Sequence, residues 1–540
     1  MNTVPNVSAP SSGPVATPSP RGLWRWLLAP VVLLLVLAAL RPLSVPDEGR
    51  YAEISRWMLV SGDWLVPRLN GLPFFHKPPL THWGQAASMA VFGATPWAAR
   101  VPVVAHAALM LLGLTLAAHR LAGAAVARRA ALMLGTSMGF LIGGQYVNHD
   151  MGVAAWIATA IWCFALALLH AERPHAWLAR AGFAACALGV LTKGLIGLAL
   201  PGLVLALWVG ATRQWRKLLH LPWLSGLAIF GLIAAPWFVW MGGRYPGFWD
   251  YLFGVQQFTR YTGSGFNNAQ PWWFYLAAVA LLLFPWSLLA LYRGRALASR
   301  RTPAPGLISA EGRRLCWIWL IAIVLFFSIP RSKLIGYVLP VMPPLALLAA
   351  AAWQEALAPR RHAERGFWAL AAIPVALVLA LSLATGPGRM QADRQSDDVA
   401  RTLGCLMRPG DVVYAAGGYP YDLPFVAQLR APMVVIQDWP DERASAADNW
   451  KRELFEGADF EPAAGARLLQ TPDVLPAASR QPGAWLLAPR AFELDDPAGW
   501  RSVRLGSGWT LYASAPERPE APQHEGLPGC DDQRQHQRQP

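Results

Sequence analysis

Acidic and basic residues are concentrated in one polar segment near the N-terminus, PDEGRYAEISRWMLVSGDWLVPRLNGLPFFHKPP, which starts at Pro46. Carboxylates such as Asp47 and Glu48 can orient a nucleophile or accept its proton. Cations such as Arg50 and Lys77 can hold a phosphate and stabilise the charge that grows on it as it leaves. These residue types therefore predict chemistry on a phosphate-bearing substrate.

Further polar side chains lie at the ends of apolar runs far along the chain. Asp150 lies in VNHDMG, and Lys333 and Tyr337 lie in RSKLIGYVLP. Ionisable groups at membrane depth are costly and usually functional. Taken singly, Asp47 also fits a plain helix N-cap, and Lys77 and Lys333 fit interfacial side chains that snorkel. Their gathering at one membrane face is what predicts a site for a lipid-linked phosphate.

Composition indicates that these residues are positioned by membrane helices. Of 540 residues, 54% are hydrophobic and 14% are charged, whereas soluble domains carry about 25% charged residues. The net charge of +14 could suggest nucleic acid, but the basic residues lie in short clusters between apolar runs. The sequence therefore excludes a nucleic-acid partner and predicts membrane lipids as the surroundings.

Eleven apolar runs approach the roughly 20 residues that a membrane-spanning helix needs. They are residues 23–40, 98–118, 130–144, 151–170, 178–191, 194–211, 221–241, 272–292, 315–329, 335–353 and 367–385. Lys and Arg are enriched in alternate loops, which predicts a cytoplasmic N-terminus. An odd number of spans then places the segment after residue 385 outside, where Cys405 and Cys530 can pair if the compartment is oxidising.

The chain divides into four predicted parts. Short β-like runs alternate with helix-compatible stretches after the last span, which favours a small α/β domain; the runs are Asp411 to Ala416, Met433 to Gln437, Trp485 to Ala488 and Trp509 to Ala513. The predicted parts are a disordered cytoplasmic tail (1–20), a transmembrane catalytic domain (21–385) with long outside loops (42–97 and 242–271), the α/β domain (386–515) and a disordered tail (516–540).

The polar segment and several shorter motifs resemble one known family over roughly residues 23 to 355. The shorter motifs are VNHDM, LTKG, QPWWFY, FPWS and FFSIPRSKLIGYVLP. On these motifs the chain resembles the bacterial 4-amino-4-deoxy-L-arabinose lipid A transferases, within the wider protein O-mannosyltransferase-like group. The resemblance implies a GT-C fold: an α-helical polytopic membrane protein of about 11–13 transmembrane helices with a C-terminal periplasmic α/β domain.

The resemblance also implies the roles of individual residues. Asp47 matches the family's essential loop carboxylate and Asp150 its second one. Lys77, Arg260 and Tyr337 match the residues that hold the carrier phosphate.

Two positions depart from the family pattern. His76 stands where the family usually has Glu, and Gln256-Gln257 stands where it usually has an acidic-His pair. Those family positions can bind a divalent metal, and Gln257 is a poor ligand for zinc. The sequence therefore establishes no cofactor and leaves a divalent metal open, with His76 as its candidate ligand.

The expected function is that of an inner-membrane glycosyltransferase. It would move a sugar, aminoarabinose or another amino sugar, from undecaprenyl phosphate to a lipid A phosphate on the periplasmic side, with inversion. An alternative is transfer to another lipid, a polysaccharide or a protein hydroxyl. A lipid or sugar transporter is a more distant alternative, because transporters usually bind near the midplane within repeated halves, and this chain shows no internal repeat.

Overall fold

Apolar helices form most of the chain up to residue 384. The computed structural model describes residues 20–169, 173–259, 268–290, 308–384, 396–445, 449–494 and 499–516. Up to residue 384, the α-helices with both ends described are α1 (Pro20–Ala39), α2 (Asp47–Ser61), α3 (Leu80–Phe92), α4 (Pro96–Gly135), α5 (Met138–Gly143), α6 (Asp150–Leu169), α7 (Ala176–Lys193), α8 (Ile196–Thr212), α9 (Trp215–Leu218), α10 (Trp223–Arg244), α11 (Phe274–Leu282), α12 (Ala310–Ser328), α13 (Met342–Ala356) and α14 (Ala363–Ala384). A π-helix (Asp250–Thr259) and a 3-10 helix (Ile335–Val341) lie between them.

The described helices confirm a polytopic α-helical membrane protein. Among the described residues, five helical stretches are long and apolar enough to cross a membrane: Pro96–Gly135, Asp150–Leu169, Trp223–Arg244, Ile335–Ala356 and Ala363–Ala384. The predicted span 130–144 is broken instead. Helix α4 continues through a non-helical Gly123 and ends at Gly135, after which α5 restarts at Met138.

The predicted loop 42–97 folds into structure of its own. Helix α2 ends at Ser61 and is followed by Gly62 in the left-handed conformation, and α3 begins directly after Pro78-Pro79. Between them, β1 (Arg68–Leu69) pairs with β2 (Leu72–Pro73) in an antiparallel hairpin. Asn70 and Gly71 form its turn with φ of 51° and 78°, as the tight turns of two-residue hairpins require.

The segment after α14 is an α/β domain, as predicted. Its six strands are β3 (Val412–Ala416), β4 (Val434–Ile436), β5 (Leu469–Gln470), β6 (Ala484–Pro489), β7 (Trp500–Leu505) and β8 (Trp509–Ser514). They lie in the order β5-β4-β3-β6-β8-β7, with the first four parallel and β8 antiparallel to both neighbours. Its α-helices are α15 (Asp397–Leu406), α16 (Leu423–Val426), α17 (Trp439–Ser445), α18 (Trp450–Phe460), α19 (Pro462–Leu468) and α20 (Leu475–Ala478).

The α/β domain docks on the hairpin and on α2. Tyr51 and Phe74 share one buried apolar cluster with Leu403 of α15 and Phe425 of α16. The Asn70 amide donates to the Met433 carbonyl and its oxygen accepts from the Met433 N–H, both at 2.8 Å. Because the cluster draws side chains from both parts, the domain is positioned against the polar loop.

Most residues of the predicted tails, and one predicted site residue, lie outside the part of the chain that the structure describes. Residues 1–19 and 517–540 lie outside the described residues, as do Arg260 and Cys530. The predicted domain boundary near residue 385 falls in the interval between α14 and α15.

Candidate active site

A cavity of about 110 Å³ opens at the ends of several helices, on the side of the α/β domain. Three segments supply its lysines and its tyrosine: the turn before α3, the last residue of α7 and the 3-10 helix that precedes α13. The lining residues are His76, Lys77, Pro78, Lys193, Ile196, Leu252, Gln256, Gln257, Phe327, Pro330, Ser332 and Tyr337. We call this cavity the phosphate pocket, because it brings together cations and a phenol among apolar walls.

Two lysines and one tyrosine are the lining side chains best suited to bind a phosphate. Lys77 follows His76 directly and precedes Pro78-Pro79, which fix the start of α3. Lys193 ends α7, and its ammonium group lies 4.4 Å from the centre of the Tyr337 ring. Of the five residues expected to hold the phosphate, Lys77 and Tyr337 therefore meet at this cavity, and Lys193 joins them.

Asp150 lies next to the phosphate pocket and forms an ion pair with Lys193. It begins α6, where its N–H donates to the Asn148 side-chain oxygen at 2.9 Å. The Asn148 amide in turn donates to the Asp150 carboxylate at 3.2 Å. A Cβ on Gly336 would lie 2.1 Å from a carboxylate oxygen of Asp150, so only glycine allows the 3-10 helix to approach this pair.

Asp47 and Arg50 lie beyond the cavity wall, at the start of α2. Asp47 is the first helical residue and does not cap the helix, since Pro46 precedes it. Its side chain is 48% exposed and accepts from Arg50 at 2.7 Å. Arg50 also pairs with Glu453 of the α/β domain. Asp47 is therefore an open carboxylate with a fixed orientation, which suits a role in orienting a substrate.

Glu48 has a different environment from its neighbour Asp47. Its side chain is fully buried and bonds to the guanidinium groups of Arg100, at 2.8 and 3.0 Å, and Arg41. It also accepts from the backbone N–H groups of Ser44 and Val147, both at 2.8 Å. Burial raises the pKa of Glu48, but the two arginines outweigh it and hold the pKa well below its ordinary value. The structure places this predicted catalytic carboxylate in a closed cluster that joins α1, α2 and α4.

Lys333 is also held away from the role expected of it. It is 4% exposed, and its ammonium donates to the backbone carbonyls of Pro330 and Gln270. These bonds shape the segment that carries Ser332 and Tyr337. Arg260, the remaining predicted phosphate ligand, lies outside the described residues.

His76 contacts the α/β domain. Its ring stacks on Phe74 at 4.6 Å, and its Nε2 lies 3.5 Å from a carboxylate oxygen of Glu456. Burial lowers the pKa of His76, and Glu456 opposes that shift. Burial raises the pKa of Glu456, but contacts with His76, Tyr251 and Arg452 outweigh burial and lower the pKa to about 2.

The residues around His76 do not match a metal site. Gln257 uses its side-chain oxygen to accept from the Leu195 N–H at 2.7 Å. In the described part of the chain, no group of three or more His, Cys, Asp or Glu is arranged to hold a metal ion. The donor set therefore does not fit a divalent metal, and we derive no step through one.

Three residues of the candidate site were not predicted as site residues from the sequence. Lys193 lies in the LTKG motif, which could have marked it. Glu453 and Glu456 lie on α18, and each reaches the polar loop. No local pattern marks those two carboxylates, because their partners are about 400 residues away in the chain.

Comparisons with known proteins agree with this architecture. Residues 76–240 match the family model described as dolichyl-phosphate-mannose-protein mannosyltransferase. The chain is 35% identical over 329 residues to the undecaprenyl phosphate-alpha-4-amino-4-deoxy-L-arabinose arabinosyl transferase of Pseudomonas aeruginosa, covering 60% of this chain and 58% of that protein. The relative of the same name from Aeromonas salmonicida is 35% identical, covering 67% and 66%. The matches thus span about three fifths of the length of these relatives.

Solved structures extend the similarity over nearly the whole chain. ArnT from Cupriavidus metallidurans, in a crystal structure bound to undecaprenyl phosphate, superposes with a TM-score of 0.77 at 25% identity, covering 92% of this chain and 98% of that one. The Archaeoglobus fulgidus oligosaccharyltransferase superposes with a TM-score of 0.52 at 14% identity, covering 87% and 70%, which supports the fold alone.

The helical bundle, the polar loop and the docked α/β domain define a membrane protein of the GT-C fold. Within that class, the expected resemblance to the undecaprenyl phosphate-aminoarabinose arabinosyl transferases is confirmed.

Proposed function

We propose that this protein is an inverting glycosyltransferase that moves an amino sugar from an undecaprenyl-phosphate donor to a phosphate of lipid A. The observation that carries the proposal is the convergence of Lys77, Lys193 and Tyr337 on one cavity among the ends of membrane helices. The similarity to ArnT, whose crystal structure holds undecaprenyl phosphate, supports the same donor class.

The phosphate pocket suits a phosphate that becomes a leaving group. When the bond between the sugar and the carrier breaks, negative charge grows on the carrier phosphate. Fixed cations such as Lys77 and Lys193 stabilise that charge without reorganising. Asp150 neutralises part of the Lys193 charge, so the pocket can bind the phosphate and still release it.

Asp47 would orient the acceptor or the sugar. A lipid A phosphate is largely ionised near pH 7, since its second pKa is about 6, so it needs no general base. Arg50 holds the exposed carboxylate of Asp47 in place from one side. If the acceptor were a hydroxyl of another lipid, a polysaccharide or a protein, Asp47 would have to take its proton.

We further propose that the phosphate pocket and the α/β domain face the periplasm from the inner membrane. The enrichment of Lys and Arg in alternate loops supports this orientation. Cys405 in the α/β domain is disulfide-bonded, which agrees with an oxidising compartment. The cysteines of the helical bundle, Cys163, Cys186 and Cys316, are free.

A reconstituted transfer assay tests the function. The purified protein is placed in vesicles with undecaprenyl-phosphate aminoarabinose and lipid A, and the lipid products are analysed by mass spectrometry. We expect the product to be lipid A that carries the sugar on a phosphate. The Asp47→Asn variant, measured in the same assay, separates an orienting role of Asp47 from a proton-accepting role. Consumption of the donor with unmodified lipid A would instead support another acceptor. Movement of the donor across the bilayer without any transfer would support the transporter reading.

A further inference from the structure

Besides Nε2 of His76, which faces Glu456, three imidazole nitrogens near the phosphate pocket are buried without a hydrogen-bond partner in the described structure. They are Nδ1 and Nε2 of His149 and Nε2 of His82. His149 is 2% exposed and His82 is 0% exposed. A buried polar group without a partner costs about 1–3 kcal/mol, so such groups call for an explanation such as a bound ligand or water.

The pair is anchored on one side only. Ser55 Oγ lies 3.0 Å from His82 Nδ1 and 2.6 Å from the Gln85 side-chain oxygen. The two imidazole rings meet edge to face, with centroids 5.0 Å apart. The Tyr51 ring packs against His149 at 4.7 Å. The Ser55 contact and the ring packing fix both imidazoles while three nitrogens stay open.

His149 is linked to the phosphate pocket through its neighbour in the chain. It directly precedes Asp150, which pairs with the pocket residue Lys193. Burial lowers the pKa of His149 well below its ordinary value, and the nearby charges of Lys77, Lys193 and Arg50 lower it further. The ring is therefore neutral at pH 7, with one donor and one acceptor nitrogen.

Neutral imidazoles favour a hydroxyl group as ligand over an anion or a metal ion. They offer no charge to an anion, and they have no third metal-binding neighbour among the described residues. A hydroxyl group fits, because it donates and accepts at once. The hydroxyl-bearing part of the proposed donor is the sugar, and it is attached directly to the phosphate.

We propose that His149 and His82 form a subsite that binds hydroxyl groups of the transferred sugar. The inference rests on the proposed function and deepens it, because it assigns recognition of the sugar to a site separate from the lysines that bind the carrier phosphate.

A pair of binding measurements on the purified full-length protein tests this subsite. The probes are undecaprenyl-phosphate aminoarabinose and bare undecaprenyl phosphate. His149→Leu is expected to weaken binding of the sugar-bearing lipid about tenfold, as for the loss of one or two neutral hydrogen bonds. Binding of the bare carrier should stay within about twofold. His149→Gln supplies an amide donor and acceptor, and it should restore most of the lost affinity.

The matched control is His106→Leu. His106 is also a largely buried histidine of the helical bundle, but its Nδ1 lies 2.7 Å from the Pro102 carbonyl oxygen, so it should not discriminate between the two lipids. If His149→Leu does not fold, His82→Phe removes the other open nitrogen and is measured in the same way.

Equal weakening of both lipids by His149→Leu would overturn the subsite, since it would show a structural role. Unchanged binding of both would also overturn it and would assign the open nitrogens to water. If the wild-type protein binds neither lipid, the proposed function itself fails. If the wild-type protein binds both lipids but the histidine variants do not lose affinity for the sugar-bearing lipid selectively, the proposed function is kept and the sugar subsite is rejected.

Discussion

Two charge clusters flank the start of α2 and differ in what their charges can do. In the first, Glu48 is enclosed by Arg41, Arg100 and two backbone N–H groups. In the second, Lys193 pairs with Asp150 but still lines a cavity beside Lys77. The first cluster is closed and holds the fold, whereas the second faces a cavity that a ligand can enter. Asp47 and Glu48 are adjacent in one motif, but Glu48 stabilises the fold whereas the exposed Asp47 can orient a substrate.

The closed cluster should dominate stability. Glu48→Gln leaves Arg100 buried without its carboxylate, and breaking a buried ion pair in this way costs about 3–5 kcal/mol. We expect a large fall in the denaturant midpoint of the purified protein, together with a loss of folded yield. A variant that unfolds like the wild-type protein would show that the cluster is not what holds α1, α2 and α4 together.

The open cluster should dominate activity. Lys77→Ala removes one preorganised cation from the phosphate pocket, and losses of this kind lower the turnover rate about 100- to 1,000-fold. The denaturant midpoint should hardly change, because the side chain lines a cavity. Lys451→Ala, in the α/β domain, is the control lysine and should keep near-normal transfer. Full activity in Lys77→Ala would remove the phosphate pocket from the mechanism.

The α/β domain should have a smaller effect on transfer activity, which it exerts through Arg50. Glu453→Gln removes one of the two carboxylates that fix Arg50, and Arg50 in turn orients Asp47. We expect transfer to fall about tenfold, as for the loss of a hydrogen bond between charged groups. Asp459→Asn is the control, since Asp459 pairs with the exposed Arg443 within the same domain. Equal activities of the two variants would show that the α/β domain does not contribute to transfer through Arg50.

Mild acid should leave the closed cluster intact. The pKa of Glu48 in the folded protein lies well below its ordinary value of 4.5. A lowered carboxyl pKa contributes stability that is present above the unfolded pKa and lost as pH falls through the folded pKa. The difference in unfolding free energy between wild type and Glu48→Gln should therefore be constant from pH 8 to about pH 5. It should shrink only below about pH 4.5, and a change near neutrality would contradict the assignment.

The sequence predicted most of the helical bundle and part of the site. Apolar runs located the five described helical stretches that are long enough to cross a membrane. The motifs around Lys77, Asp150 and Tyr337 identified residues that the fold brings close together. The break between α4 and α5 escaped prediction, because the composition stays apolar through it. The different environments of Asp47 and Glu48 could not be predicted either, because Arg100, which pairs with Glu48, lies 52 residues away in the chain. Contacts such as Glu453 with Arg50 depend on how the domain docks.

The most direct test of the central claim is the structure of the full-length protein in a lipid nanodisc with undecaprenyl phosphate. We predict the lipid phosphate in the phosphate pocket, within about 3 Å of the ammonium groups of Lys77 and Lys193 and beside Tyr337. A phosphate bound at another part of the surface, with this cavity left to water, would contradict the account.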